Sequence, residues 1–92
     1  MTDITIRAFA KFREMFGAET ALSAADGATV LDSLLQFAET VPAAKEELFD
    51  GENLKEHVVL MYNRERIDVE DAAEITVEEG DEIVLYPPVS GG

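Results

Sequence analysis

Ile4-Thr5-Ile6-Arg7-Ala8-Phe9 alternates apolar and polar side chains with a period of two, the pattern of a strand with one face toward a core. The period then changes. Phe12, Met15 and Phe16 share a helical face and Gly17 follows as a C-cap, predicting a short helix from about Ala10 to Phe16. Thr20-Ala21-Leu22-Ser23 predicts a second strand, and Asp26-Gly27 a turn out of it.

The clearest element begins at Thr29. Thr29 and Asp32 have the spacing of a capping box, and Val30, Leu34, Ala38 and Val41 recur on one helical face, widened by Leu31, Leu35 and Phe37. Pro42 ends that helix, because it lacks an N–H and clashes with the preceding turn, and opens a second one through about Phe49. Asp50-Gly51-Glu52-Asn53 breaks it.

Val58-Val59-Leu60-Met61-Tyr62 is continuously apolar and predicts a strand buried on both sides. Asn63 to Arg66 reads as a polar turn, and Ile67 to Glu79 as short extended pieces that include Ile75-Thr76-Val77. After the turn Glu79-Gly80-Asp81, Ile83-Val84-Leu85-Tyr86 predicts a last buried strand, which Pro87 and Pro88 stop. Strand, strand, helix, strand, strand is the order of an α+β two-layer sandwich.

Composition narrows the function. At 92 residues the chain is one domain with a thin core and little room for a deep active site. Seven Lys plus Arg against twenty Asp plus Glu give a net charge of −13, which repels nucleic acid and anionic membranes. That acidity reads equally as steering toward basic partner surfaces and as a solvated surface suited to a salty cytoplasm. With no cysteine, disulfides, thiolate metal sites and cysteine nucleophiles are excluded. No leader or membrane-length apolar run is visible, so the expected location is cytoplasmic.

Candidate chemistry inside the domain is sparse. His57 is the only histidine and reads as a partly buried side chain rather than a metal ligand. The acids Asp68, Glu70, Asp71, Glu74, Glu78, Glu79, Asp81 and Glu82 lack the order of a calcium loop and read as a solvated face. No metal site, Ser-His-Asp set or phosphate loop is recognisable.

The informative stretch is Pro87-Pro88-Val89-Ser90-Gly91-Gly92. The prolines hold the chain extended, and the glycines are slim enough to enter a narrow enzyme channel. The expected organisation is a domain over residues 1–86 and a flexible tail over 87–92.

The run from Gly80 to Gly92, with Phe9-Ala10 and Arg13-Glu14 before Gly17, resembles the small subunit of molybdopterin synthase and its relatives. These include the thiamin-pathway sulfur carrier and the small archaeal ubiquitin-like modifiers. The segment from Pro42 to His57 is longer than the shortest members need and looks more like the archaeal modifiers. Tyr86 stands where Phe is common, adding a hydroxyl that needs a partner or water.

The resemblance implies a ubiquitin-like β-grasp fold, with a mixed sheet under one main helix, and a carrier rather than a catalyst. Gly92, presented by Gly91, would be adenylated by a ubiquitin-activating-type enzyme that uses ATP, the carrier itself binding no cofactor. The product would be a thiocarboxylate, for molybdopterin synthesis or tRNA thiolation, or an isopeptide bond to a target-protein lysine. The molybdopterin synthase large subunit is a further implied partner. Phe9, Tyr86, Pro87, Pro88, Val89 and Ser90 are the implied partner contacts. A rival reading is a non-covalent ubiquitin-like binding module with an inert tail.

Overall fold

The protein is described by a computed structural model over residues 1–87. Strand β1 (Thr2–Ala8) leads through helix α1 (Lys11–Phe16) to β2 (Glu19–Ala24), then α2 (Val30–Thr40) and α3 (Pro42–Leu48). A small hairpin, β3 (Phe49–Asp50) and β4 (Asn53–Leu54), precedes β5 (Val59–Tyr62), β6 (Glu65–Ile67) and β7 (Glu82–Tyr86). The main sheet runs in the order β2-β1-β7-β5-β6, with β1 and β7 parallel and the other neighbours antiparallel. A mixed sheet with the last strand at its centre and a long helix across one face is the β-grasp arrangement.

Alternation in the strands decides which face is covered. Ile4, Ile6 and Ala8 of β1, Leu60 of β5, and Ile83 and Leu85 of β7 are buried beneath the helices. Helix α2 closes them with Val30, Ser33, Leu34, Phe37 and Ala38. Its N-terminus is held by the expected capping box: the Asp32 N–H donates to Thr29 Oγ1 and the Thr29 N–H to Asp32 Oδ2, both at 3.0 Å. Ser33 survives full burial because its hydroxyl donates to the Thr29 carbonyl at 2.9 Å. Phe12 stacks on Phe16 at 5.0 Å, and Phe16 meets Phe37 edge-on at 6.0 Å, tying α1 into the same core. Gly17 caps α1 with φ of 96°, its N–H donating to the Arg13 carbonyl at 3.0 Å.

Several expectations are corrected. The strand from Val58 to Tyr62 is covered on one side only: Leu60 is buried, but Val59 and Met61 on the other face are partly exposed. The turn after it is just Asn63 and Arg64, because β6 already begins at Glu65. Between Ile67 and Glu79 the chain makes a short 3-10 turn at Val69–Ala73, and Thr76 forms a single bridge to Thr29 rather than a strand. The second helix, by contrast, ends where expected, at Leu48 with Phe49 as its C-cap, and Gly51 at φ 69° then folds the chain into the β3–β4 hairpin. His57 is exposed, since it follows that hairpin before the chain re-enters the sheet at Val58. No helix among the described residues is long and apolar enough to cross a membrane.

Candidate functional site

The covered face of the sheet leaves an opposite face with no element of the described residues upon it. Across it runs the row Glu19, Arg7, Val84, Met61 and Arg66, one residue from each strand, fixed by the register. Arg7 bridges its neighbours, with one guanidinium nitrogen 2.9 Å from Glu19 and Nε 2.9 Å from Glu82.

At the C-terminal end of β7 the row gives way to aromatics. The Phe9 N–H extends the β1–β7 ladder by donating to the Leu85 carbonyl at 3.1 Å, and Ala10 at φ 54° then turns the chain into α1. This places the Phe9 ring flat on that of Tyr86, with centroids 5.0 Å apart and planes 10° apart. Both remain exposed, at 37% and 38%. Beside them Arg7, Met61, Arg64, Glu82 and Val84 complete a shallow depression of about 330 Å³. A larger hollow, about 630 Å³, lies between α2, α3 and the β3–β4 hairpin, and no residue selected from the sequence lines it.

Phe9, Tyr86 and half-buried Pro87 are therefore brought together where the described chain leaves the sheet. Pro88, Val89, Ser90, Gly91 and Gly92, and with them the expected flexible tail, lie outside the described residues. Sequence reasoning missed Arg7, Arg64, Val59, Met61 and Val84 as members of this face. The signal was present: if Leu60, Ile83 and Leu85 point inward, period two sends Val59, Met61 and Val84 outward.

Most of the acidic run is solvated as expected, but at the far end of β7 one member, Asp81, departs from that expectation. Asp81 is buried and accepts hydrogen bonds from the Tyr62 hydroxyl, from Asn63 Nδ2 at 2.9 Å and from the Glu78 N–H at 2.7 Å. Burial pushes its carboxyl up, but those three donors outweigh burial and hold it below the usual carboxylate range. The Tyr62 phenol is pushed up to about 12 by burial, by its bond to Asp81 and by the negative charges of Asp81 and Glu78. This network locks the β5–β6 turn against β7. Among the described residues no three His, Asp or Glu side chains gather as a metal site.

The ThiS family matches residues 6–92, nearly the whole chain. The chain belongs to the ThiS family. It is similar to small archaeal modifier protein 1 of Haloferax volcanii, 38% identical over 87 residues that cover 91% of this chain and 94% of the relative. Superposed on the crystal structure of that protein it gives a TM-score of 0.85 at 30% identity, covering 98% of this chain and 99% of the other. A putative molybdopterin converting factor subunit 1 from Pyrococcus furiosus gives 0.76 at 25% identity, covering 97% and 100%. As a ThiS-family protein it has the ubiquitin-like β-grasp fold and belongs with small ubiquitin-like modifiers and sulfur carriers.

Proposed function

We propose that this ThiS-family protein is a carrier whose Gly92 carboxylate is activated by an ATP-dependent enzyme of the ubiquitin-activating type. The observation that carries the reading is the family match through residue 92, together with a last strand that delivers the chain beside the exposed Phe9–Tyr86 stack. A carboxylate is a poor acyl donor because its leaving group would be oxide. Attack of the Gly92 carboxylate on the α-phosphate of ATP releases pyrophosphate and leaves an acyl-adenylate. Hydrosulfide then attacks the acyl carbon, forming a C–S bond as AMP departs and giving a thiocarboxylate, or the neutral amine of a target lysine forms a C–N bond and loses a proton as AMP departs.

The chain's own part is to be held. The open face supplies apolar area at Val59, Met61, Phe9 and Tyr86 for docking, and the tail sequence, with prolines that restrict φ and glycines that carry no side chain, would suit a narrow enzyme channel. The likeness to a modifier supports conjugation, and the likeness to a putative molybdopterin converting factor subunit supports sulfur delivery to a large-subunit partner. One activated terminus serves both.

Deletion of Gly92 tests the reading. It withdraws the carboxylate by about 3.3 to 3.6 Å. Misplacement of that size should lower ATP-dependent adenylate formation by more than about a hundredfold while the thermal midpoint is unchanged. Normal activation of the deletion would favour a binding module with an inert tail.

A further inference from the structure

The turn between β5 and β6 is a two-residue hairpin loop: Tyr62 pairs with Glu65, and Asn63 and Arg64 between them have φ of 48° and 73°. Such turns match the twist of their strands, and Asn followed by Gly is their preferred pair. Asn63 obeys that preference and is anchored. Its Oδ1 accepts from the Glu82 N–H at 2.9 Å, its Nδ2 donates to Asp81, and its own N–H donates to the Glu82 carbonyl at 2.9 Å. Arg64 does not obey it. A residue with a Cβ held in the left-handed region costs about 1 to 2 kcal/mol, which glycine avoids.

No polar contact of Arg64 itself within the described fold offsets that cost. Arg64 is exposed, and its guanidinium makes no hydrogen bond or ion pair among the described residues. It does have a place on the open face, lining the depression with Arg7, Phe9, Met61, Val84 and Tyr86. The other cations of this face are placed differently. Arg7 is shared between Glu19 and Glu82, and Arg66, which makes no ion pair among the described residues either, lies on the edge strand in a separate hollow with Glu56, Asp68 and Glu70 rather than beside the aromatic pair.

We propose that Arg64 is a docking residue whose guanidinium receives a carboxylate from the partner that engages the open sheet face. The partner surface is then apolar opposite Met61, Val84 and Tyr86 and acidic opposite the β5–β6 turn. That is the reverse of the basic partner that a net charge of −13 suggests. The inference rests on the reading above, that this face docks the enzyme acting on the tail.

The experiment uses the full chain and the ubiquitin-activating-type enzyme of the same organism, measuring KM and kcat for adenylate formation beside thermal melts. Arg64→Gly should leave Tm unchanged or raise it, since the turn relaxes, yet raise KM on the order of tenfold with kcat unaltered. Arg64→Glu should raise KM further, and Arg64→Lys should keep most of the affinity. The gap between wild type and Arg64→Glu should narrow with salt, as the Debye length falls from about 10 Å at 0.1 M to about 3 Å at 1 M. Wild-type KM in both the Gly and Glu variants overturns the proposal, as does a KM loss in Arg64→Gly that comes with a lowered Tm. The Gly92 deletion run alongside separates the two readings. If it is still activated, the carrier reading has failed; if it is inactive while the Arg64 variants behave normally, only the docking role has failed.

Discussion

β1, β7 and β5 each present two faces, and alternate residues of the same strands serve them. On the covered face, Ile6, Leu60, Ile83 and Leu85 are enclosed by α2, which contributes Leu34 and Phe37. On the open face, Arg7, Met61 and Val84 sit in register with their neighbours, and Phe9 and Tyr86 stack in solvent. Both faces carry apolar side chains, but among the described residues only one is closed by other elements. On the proposed reading, stability and recognition are carried by residues one position apart, and single substitutions should separate them.

The largest effect should fall on the covered side. Leu34 is fully buried between helix and sheet, so Leu34→Ala should cost about 2 to 5 kcal/mol in urea unfolding, a large share of what so small a domain possesses. The fraction that remains folded should still dock normally. A cost under about 1 kcal/mol would mean that the covered face is not where stability resides.

A smaller effect belongs to the network that pins the end of β7. Asp81→Asn should cost about 1 to 3 kcal/mol, because an amide cannot accept from the three donors that the carboxylate satisfies. The same network predicts a pH dependence. The Tyr62 phenol rises from 10.0 to about 12 on folding, so its contribution is fully present below pH 10 and is lost as pH climbs toward 12. For Asp81 the folded value is depressed below 3.8, so its contribution holds above that pH and is lost on acidification below it. Urea midpoints across pH should fall more steeply above pH 10 in wild type than in Tyr62→Phe. Parallel curves for the two proteins would refute the assignment.

How much of this could be read beforehand depends on whether the deciding contact is local. Helix α2 was legible because its apolar spacing and the Thr29–Asp32 cap lie within one stretch of chain, and β1 because Ile4, Ile6 and Ala8 alternate plainly. The open face was not, because Val59 and Met61 make β5 look buried on both sides when one side is left uncovered by the described residues. A docking surface and a core have the same composition in a strand, and only the absence of a covering element distinguishes them. Asp81 was hidden among acids of identical appearance, since two of the three donors that select it come from Tyr62 and Asn63, 19 and 18 residues away. The parallel pairing of β1 with β7, which sets the Phe9 ring on Tyr86, likewise joins opposite ends of the chain.

The smallest effects should come from Tyr86, and they sharpen the comparison most. Its hydroxyl makes no hydrogen bond among the described residues and the side chain is well exposed, so water satisfies it. Tyr86→Phe should therefore change unfolding free energy by less than about 0.5 kcal/mol, the usual range for a surface substitution away from special features. Tyr86→Ser removes the ring and with it the stack on Phe9, worth about 0.5 to 1.5 kcal/mol for an aromatic pair. Even that loss is well below the cost at Leu34, although both side chains are apolar and both belong to elements of the same sheet and helix sandwich. In adenylate formation the order should invert: Tyr86→Ser should weaken docking on the order of tenfold, because an aromatic anchor is lost from the contact face, while folded Leu34→Ala protein should not. The hydroxyl and the ring can be told apart in one assay, since Tyr86→Phe should dock as wild type does. If Tyr86→Ser instead costs as much stability as Leu34→Ala and docks normally, the open face is part of the core and the division between the two faces is wrong.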